Sequence, residues 1–171
     1  MVEERHVVSP HEPVTETEWM EEALALAVVS AEEGEVPVGA VVIAADGRII
    51  GRGRNRRESG DPLGHAEMYA IREAAESLGD WRLSGTTIVV TLEPCAMCAG
   101  AIVNARIDRL IYATSDPKAG YCGTLGNIVQ DPRLNHRTSV VAGFMEDRSR
   151  ALLQEFFRRL RDRKSAEEES V

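Results

Sequence analysis

His65 and Glu67 stand two residues apart, and well downstream Cys95 and Cys98 form a Cys-x-x-Cys pair directly behind Pro94. One imidazole and two thiols are three ligands of the kind zinc takes, and three protein ligands leave a fourth position open for water. Zinc lowers the pKa of such a water toward about 7, which makes a nucleophile available at neutral pH. Hydrolysis at an aromatic ring carbon also needs a proton delivered to a ring nitrogen and then to the leaving amine. A carboxylate beside the metal can carry that proton twice, and Glu67 is the residue at hand. The expected chemistry is metal-assisted hydrolysis with one zinc per chain.

The same residues allow plainer roles. Cys95 and Cys98 could form a redox dithiol, which would leave His65 and Glu67 idle. Cys122 or His136 could supply a fourth ligand and close the metal site into a structural one. Glu67 could be an ordinary favourable acid in a first helical turn.

The elements that must position these groups follow from periodicity. A helix is predicted from Glu16 to about Glu33, with Thr15 or Thr17 to cap it and Gly34 to stop it. "VPVGAVVIA" and "RIIGRGRN" flank Ala45-Asp46-Gly47 and read as a hairpin, which puts Asn55 at a strand end. A Gly/Pro-rich loop over 58–64 leads to a helix from about His65 to Leu78. The strand "TTIVVTL", a short helix after Pro94, the strand "RLIYAT" and a long loop over 115–127 come next. A small strand near "SVVAG" and a helix from about Asp147 to Arg163 close the chain. His65 and Glu67 therefore open one helix and Cys95 and Cys98 another, where unpaired N–H groups favour thiolate and anion. Strands alternating with helices, and nearly continuous apolar runs such as "TIVV" and "LIYA", predict an α/β sheet covered on both faces.

The chain has 171 residues, 43% apolar and 28% charged, enough for one domain with a substantial core. We expect that domain at 15–164, between a disordered acidic segment at 1–14 and a disordered acidic tail at 165–171. No stretch has the length of a membrane span and the start lacks the apolar core of a secretion signal, so the expectation is a soluble, cytoplasmic protein without a membrane partner. The formal net charge of −8 argues against nucleic-acid binding only as an average. Residues 1–35 hold ten Glu and one Arg, while positive charge gathers in "RGRNRR" at 52–57 and "RRLRDRK" at 158–164. Those runs are either solvated surface or a phosphate-binding surface.

His65-Ala66-Glu67 with Pro94-Cys95-Ala96-Met97-Cys98 resembles the signature of zinc-dependent nucleobase deaminases. "EVPVGAVV", "GRNR", "TLEPCAMCAGAI", "SDPKAG", "LNHR" and "LLQEFFRRLR" extend the likeness over most of the chain, and the last three point to the bacterial tRNA-specific adenosine deaminases. The resemblance implies a three-layer α/β/α fold of the cytidine deaminase type, with a mixed sheet of about five strands. It implies conversion of adenosine to inosine at the wobble position of a tRNA anticodon loop, an arginine tRNA in particular, by a homodimer. The small residues of "MCAGAIVNA" suit close packing of a helix on a partner. His65, Cys95 and Cys98 become the metal ligands and Glu67 the proton carrier. Asn55, Ala66, Asp116, Lys118 and Asn135 become substrate-binding residues, and Arg158, Arg159 and Arg161 contacts to the RNA. Tyr121 is bulky and Cys122 unexpected in the loop beside the substrate. Two other functions share parts of this pattern. A deaminase of a free base or nucleoside, of guanine or cytosine type, would share the metal site without needing a basic helix. A binding module with structural zinc would tolerate loss of Glu67.

Overall fold

Thr15 accepts a hydrogen bond from Glu18 N at 3.3 Å while its own N–H donates to Glu18 Oε2 at 2.6 Å, a reciprocal cap that starts helix α1, Glu16–Glu32. The structure, a computed structural model, describes residues 15–168. The expectation for residues 1–14 lies outside the described residues. The hairpin follows as β1, Gly39–Ile43, and β2, Ile49–Arg54. Helix α2, Ala66–Leu78, strand β3, Thr87–Leu92, helix α3, Ala96–Asn104, and strand β4, Arg109–Thr114, make up the centre. Strand β5, Ser139–Ala142, and helix α4, Glu146–Glu168, complete the chain.

The strands form one mixed sheet in the order β2-β1-β3-β4-β5, with β1 antiparallel to both its neighbours and β3, β4 and β5 parallel. Alternate residues of the central strands serve two apolar layers. Val42, Ile88, Val90 and Leu110 meet Ala70 and Ala74 of α2 and Ile102 of α3 on one face. Val41, Val89 and Ile111 meet Met20, Ala23 and Leu24 of α1 on the other. Helix α4 packs beside α1 on that second face, with Phe156 buried and Ser149 donating its hydroxyl to Thr91 O at 2.5 Å. The three-layer expectation is met, and the β3-α3-β4 crossover brings the N-terminus of α3 to the carboxyl edge of the parallel strands, the usual place for a ligand in such sheets.

Hairpin and α2 lie very close. A Cβ on Gly53 would fall 1.9 Å from Ala66 O and 2.7 Å from Ala70 N, both backbone atoms that cannot swing aside. Gly53→Ala is therefore expected to destabilise the fold by about 1–3 kcal/mol, lowering the thermal midpoint by about 2–12 °C. A melting curve equal to that of the wild type would show that α2 is free to shift outward.

The last helix corrects the expected boundary. Helix α4 runs to Glu168, past its expected end near Arg163, and residues 169–171 lie outside the described residues. Its second half contains no Gly or Pro. Ion pairs of Glu155 with Arg159 and of Arg158 with Asp162 at helical spacing support it.

Candidate active site

His65 and Cys95 occupy the N-cap positions of α2 and α3, each with extended backbone and neither capping with its side chain. A Ser, Thr or Asp at such a place would stabilise its helix by about 1 kcal/mol. Here the two side chains turn to each other instead. His65 Nδ1 lies 3.6 Å from Cys95 Sγ and 3.5 Å from Cys98 Sγ, one turn into α3. All three donor atoms fall within 4.8 Å of one another and can hold a metal ion. Neither Cys122 nor His136 joins the group. Cys122 Sγ faces Pro94 O at 3.8 Å, and His136 Nε2 bonds Ile107 O at 2.7 Å on another part of the molecule.

Electrostatics shows why this cluster favours a cation. The Cys95 thiol is pulled down to about 4, chiefly by the hydrogen bond from Cys98, with His65 adding to it. The Cys98 thiol is pushed up by the same hydrogen bond and by burial. His65 is raised, mainly through its contact with Cys95. Burial pushes the Glu67 carboxyl up to about 7. The protein alone stabilises one thiolate here but not two thiolates and a carboxylate together, and a divalent cation removes that conflict.

One cavity gathers His65, Ala66, Glu67 and Cys95 with Asn55 and Asp116. Glu67, only 4% exposed, sits on the first turn of α2 beside the cluster. Asn55 is held from three sides: its N–H donates to Val38 O at 3.0 Å, its C=O accepts from Ser30 Oγ at 2.6 Å, and its Nδ2 lies 3.5 Å from Glu35 Oε2. Its Oδ1 accepts no hydrogen bond from the described residues and is available to a ligand. Asp116 uses Oδ1 to accept from the backbone N–H groups of Lys118 and Ala119 at 2.9 and 3.2 Å, so it shapes its own loop. Lys118 is exposed on that loop.

Asn135 is elsewhere. It lines a separate groove with Gly100, Val103 and Asn104 of α3, so the structure does not bring it to the cavity. Its motif is a turn after a long loop, and only the path of that loop decides where it lands. Arg158 and Arg159 share Glu155 at 2.8 and 2.5 Å, and Arg158 also meets Asp162 at 3.2 Å, while Arg161 is exposed and has no ion pair among the described residues. Two charged lining residues fall outside the expected site, Arg57 and Glu93 beside Pro94, and so does Glu35, which meets Asn55 without lining the cavity. Glu35 and Glu93 each stand next to an apolar strand, and a charged residue at such a place signals a buried, hydrogen-bonded group.

Comparison with known proteins places the chain among deaminases. The profile of the MafB19-like deaminase family matches residues 14–161. A tRNA-specific adenosine deaminase of Bacillus subtilis is 47% identical over 149 residues, covering 86% of this chain and 92% of that protein. One from Streptococcus pyogenes serotype M18 is 46% identical, covering 91% and 98%. A solved structure from a study of A-to-I editing by tRNA:A34 deaminases at the wobble position of transfer RNA superposes with a TM-score of 0.76. It is 46% identical and covers 80% of this chain and 99% of its own.

Proposed function

We propose that this chain, which belongs to the MafB19-like deaminase family and groups with the tRNA-specific adenosine deaminases, deaminates adenosine to inosine at the wobble position of a tRNA anticodon loop. The observation that carries the reading is the convergence of Glu67 with His65 and Cys95 in one cavity that Asn55 and Asp116 also line, with Cys98 completing the metal-donor group. A tetrahedral ion with zinc's usual bond lengths keeps a nitrogen and a sulfur ligand about 3.6 Å apart, and the two Nδ1–Sγ distances, 3.5 and 3.6 Å, fit it. His65, Cys95 and Cys98 would hold one zinc per chain. Bound there, zinc supplies Lewis-acid activation of a water molecule.

The residues of the chain do the rest. Glu67 takes a proton from the attacking water and gives it to ring nitrogen 1 of the adenine, then takes the proton of the new C6 hydroxyl and passes it to the amine, so that the C6–N bond breaks, ammonia leaves and the C6 carbonyl of inosine remains. Burial raises the Glu67 carboxyl above the usual carboxylate range, which makes the ionised form a ready proton acceptor. Asn55, fixed through Glu35, offers Oδ1 as an acceptor to the nucleotide. Ala66 and Asp116 form walls that exclude water from the base, with Lys118 exposed on the same loop as Asp116. Extruding an unpaired loop base into this cavity costs only a few kcal/mol. A homodimer, an arginine tRNA and cytoplasmic residence belong to the same reading. No helix among the described residues is long and apolar enough to cross a membrane.

The test is direct: incubate the protein with total tRNA, and separately with free guanine, cytosine and adenine, and measure ammonia and inosine. Inosine in tRNA with no turnover of free bases is expected. Turnover of a free base alone would make the chain a small-molecule deaminase.

The basic half of α4 is the proposed grip on the RNA backbone. Glu155 is shared between Arg158 and Arg159, Arg158 also meets Asp162, and Arg161 has no ion pair among the described residues, so the three side chains together carry surplus positive charge. Replacing Arg158, Arg159 and Arg161 with Ala is expected to weaken tRNA binding and to flatten its log–log salt dependence by about 1–2. Metal content should be unchanged, because these side chains are exposed and touch no metal donor. An unaltered affinity and salt slope would move the RNA contact to Arg56 and Arg57.

A further inference from the structure

Glu93 is 2% exposed, yet it lies outside the metal-donor group and the proton path. Both its oxygens are used. Oε1 accepts from Cys122 N and Thr124 N, each at 3.0 Å, and Oε2 accepts from Asp116 N at 3.0 Å and Thr124 Oγ1 at 2.5 Å. All four donors lie on one excursion of chain, Asp116–Thr124, which leaves the end of β4 and contributes Asp116 and Ala119 to the cavity wall. The neighbouring backbone completes the clamp: Pro94 O accepts from Tyr121 N at 2.9 Å, and Gly120 bridges Cys95 itself. A Cβ on Gly120 would fall 2.3 Å from Glu93 Oε2, so the carboxylate occupies the space that a side chain there would need.

We propose that Glu93 is a positioning residue for the substrate: its buried carboxylate templates the loop Asp116–Thr124 as a wall of the active site. A loop of this length carries many backbone donors with no sheet or helix to satisfy them, and a buried carboxylate is the strongest acceptor available. Glu93 is adjacent to Pro94 and Cys95, so one short segment fixes a metal ligand and the substrate wall together. The use of that wall for RNA rests on the function proposed above.

Glu93→Gln keeps the shape and one acceptor oxygen but turns an amide N–H₂ toward N–H donors of the loop. Hydrogen exchange at Asp116, Cys122 and Thr124 should then accelerate by at least about tenfold while exchange in α3 stays as in the wild type. With an anticodon stem-loop hairpin as substrate, KM should rise at least about tenfold and kcat change by less than about threefold, with zinc still bound, because the wall binds ground and transition states alike. Thr124→Val, which removes only the hydroxyl bond, should raise KM less, and should add little to Glu93→Gln, since the two act through one contact. Unchanged loop exchange overturns the clamp, and accelerated exchange with unchanged KM overturns its role toward substrate. Loss of zinc in Glu93→Gln would make the residue a support of Cys95 instead. Should Glu93→Gln fail to fold, Thr124→Val decides alone by the same exchange and KM readings. A wild-type protein that leaves the hairpin untouched defeats the RNA reading itself, and the exchange data still report on the clamp.

Discussion

Glu67→Gln is expected to lower the deamination rate by at least about 10²-fold while the protein keeps its metal and its fold. The amide has nearly the volume of the acid, so the buried slot on the first turn of α2 is filled as before. It has no proton to exchange. A group that must take a proton from water and return it to a ring nitrogen and a leaving amine is then missing from both transfers, whereas substrate contacts through Asn55 and Asp116 are untouched. The change should therefore appear in kcat, with tRNA affinity retained. Single-turnover measurement of inosine, alongside elemental analysis for zinc, separates the possible results. Undiminished turnover would return Glu67 to the plain role of an acid in a first helical turn. Loss of zinc together with turnover would make it a ligand.

Cys98→Ala is expected to empty the metal site and abolish turnover. Cys98 is fully buried on α3, and its Sγ is one of only three donors within reach of a metal among the described residues. An alanine leaves two ligands from two different helices, too few to hold zinc against the solvent and no basis for a closed geometry. Metal analysis should fall from about one zinc per chain to a small fraction of that. Binding also stabilises the fold by linkage: at a free zinc concentration 100-fold above the dissociation constant, the contribution is about 2.7 kcal/mol, worth about 5–11 °C in the thermal midpoint. A chelator should thus lower the midpoint of the wild type and leave that of Cys98→Ala where it is. Full zinc in the variant would mean that Cys122, or another donor, completes the site.

The elements legible in the chain are those whose signal is local. Alternating and continuous apolar runs marked β1, β3 and β4, and the helical period of Met20, Ala23, Leu24 and Ala27 marked α1, because burial on a regular element repeats at a fixed spacing. Asp46-Gly47 marked the hairpin. The end of α4 lies past Arg163 because Ala166, Glu167 and Glu168 are strong helix formers and no Gly or Pro intervenes to stop the helix.

The donors themselves were also legible, since metal chemistry restricts the residue types and two short motifs contain them all. What the chain by itself determined is therefore the set of elements and the chemical identity of His65, Glu67, Cys95 and Cys98. The tertiary structure decided which groups share the cavity. It removed Asn135 to a groove on α3, tied Arg158 and Arg159 to Glu155, set Glu35 under Asn55, and turned Glu93 into the anchor of a loop some 23 to 31 residues away in sequence. Such pairings leave no periodic trace. A buried carboxylate is stable only where folding delivers donors to it, and those donors are backbone N–H groups that nearly every residue carries and no residue type announces.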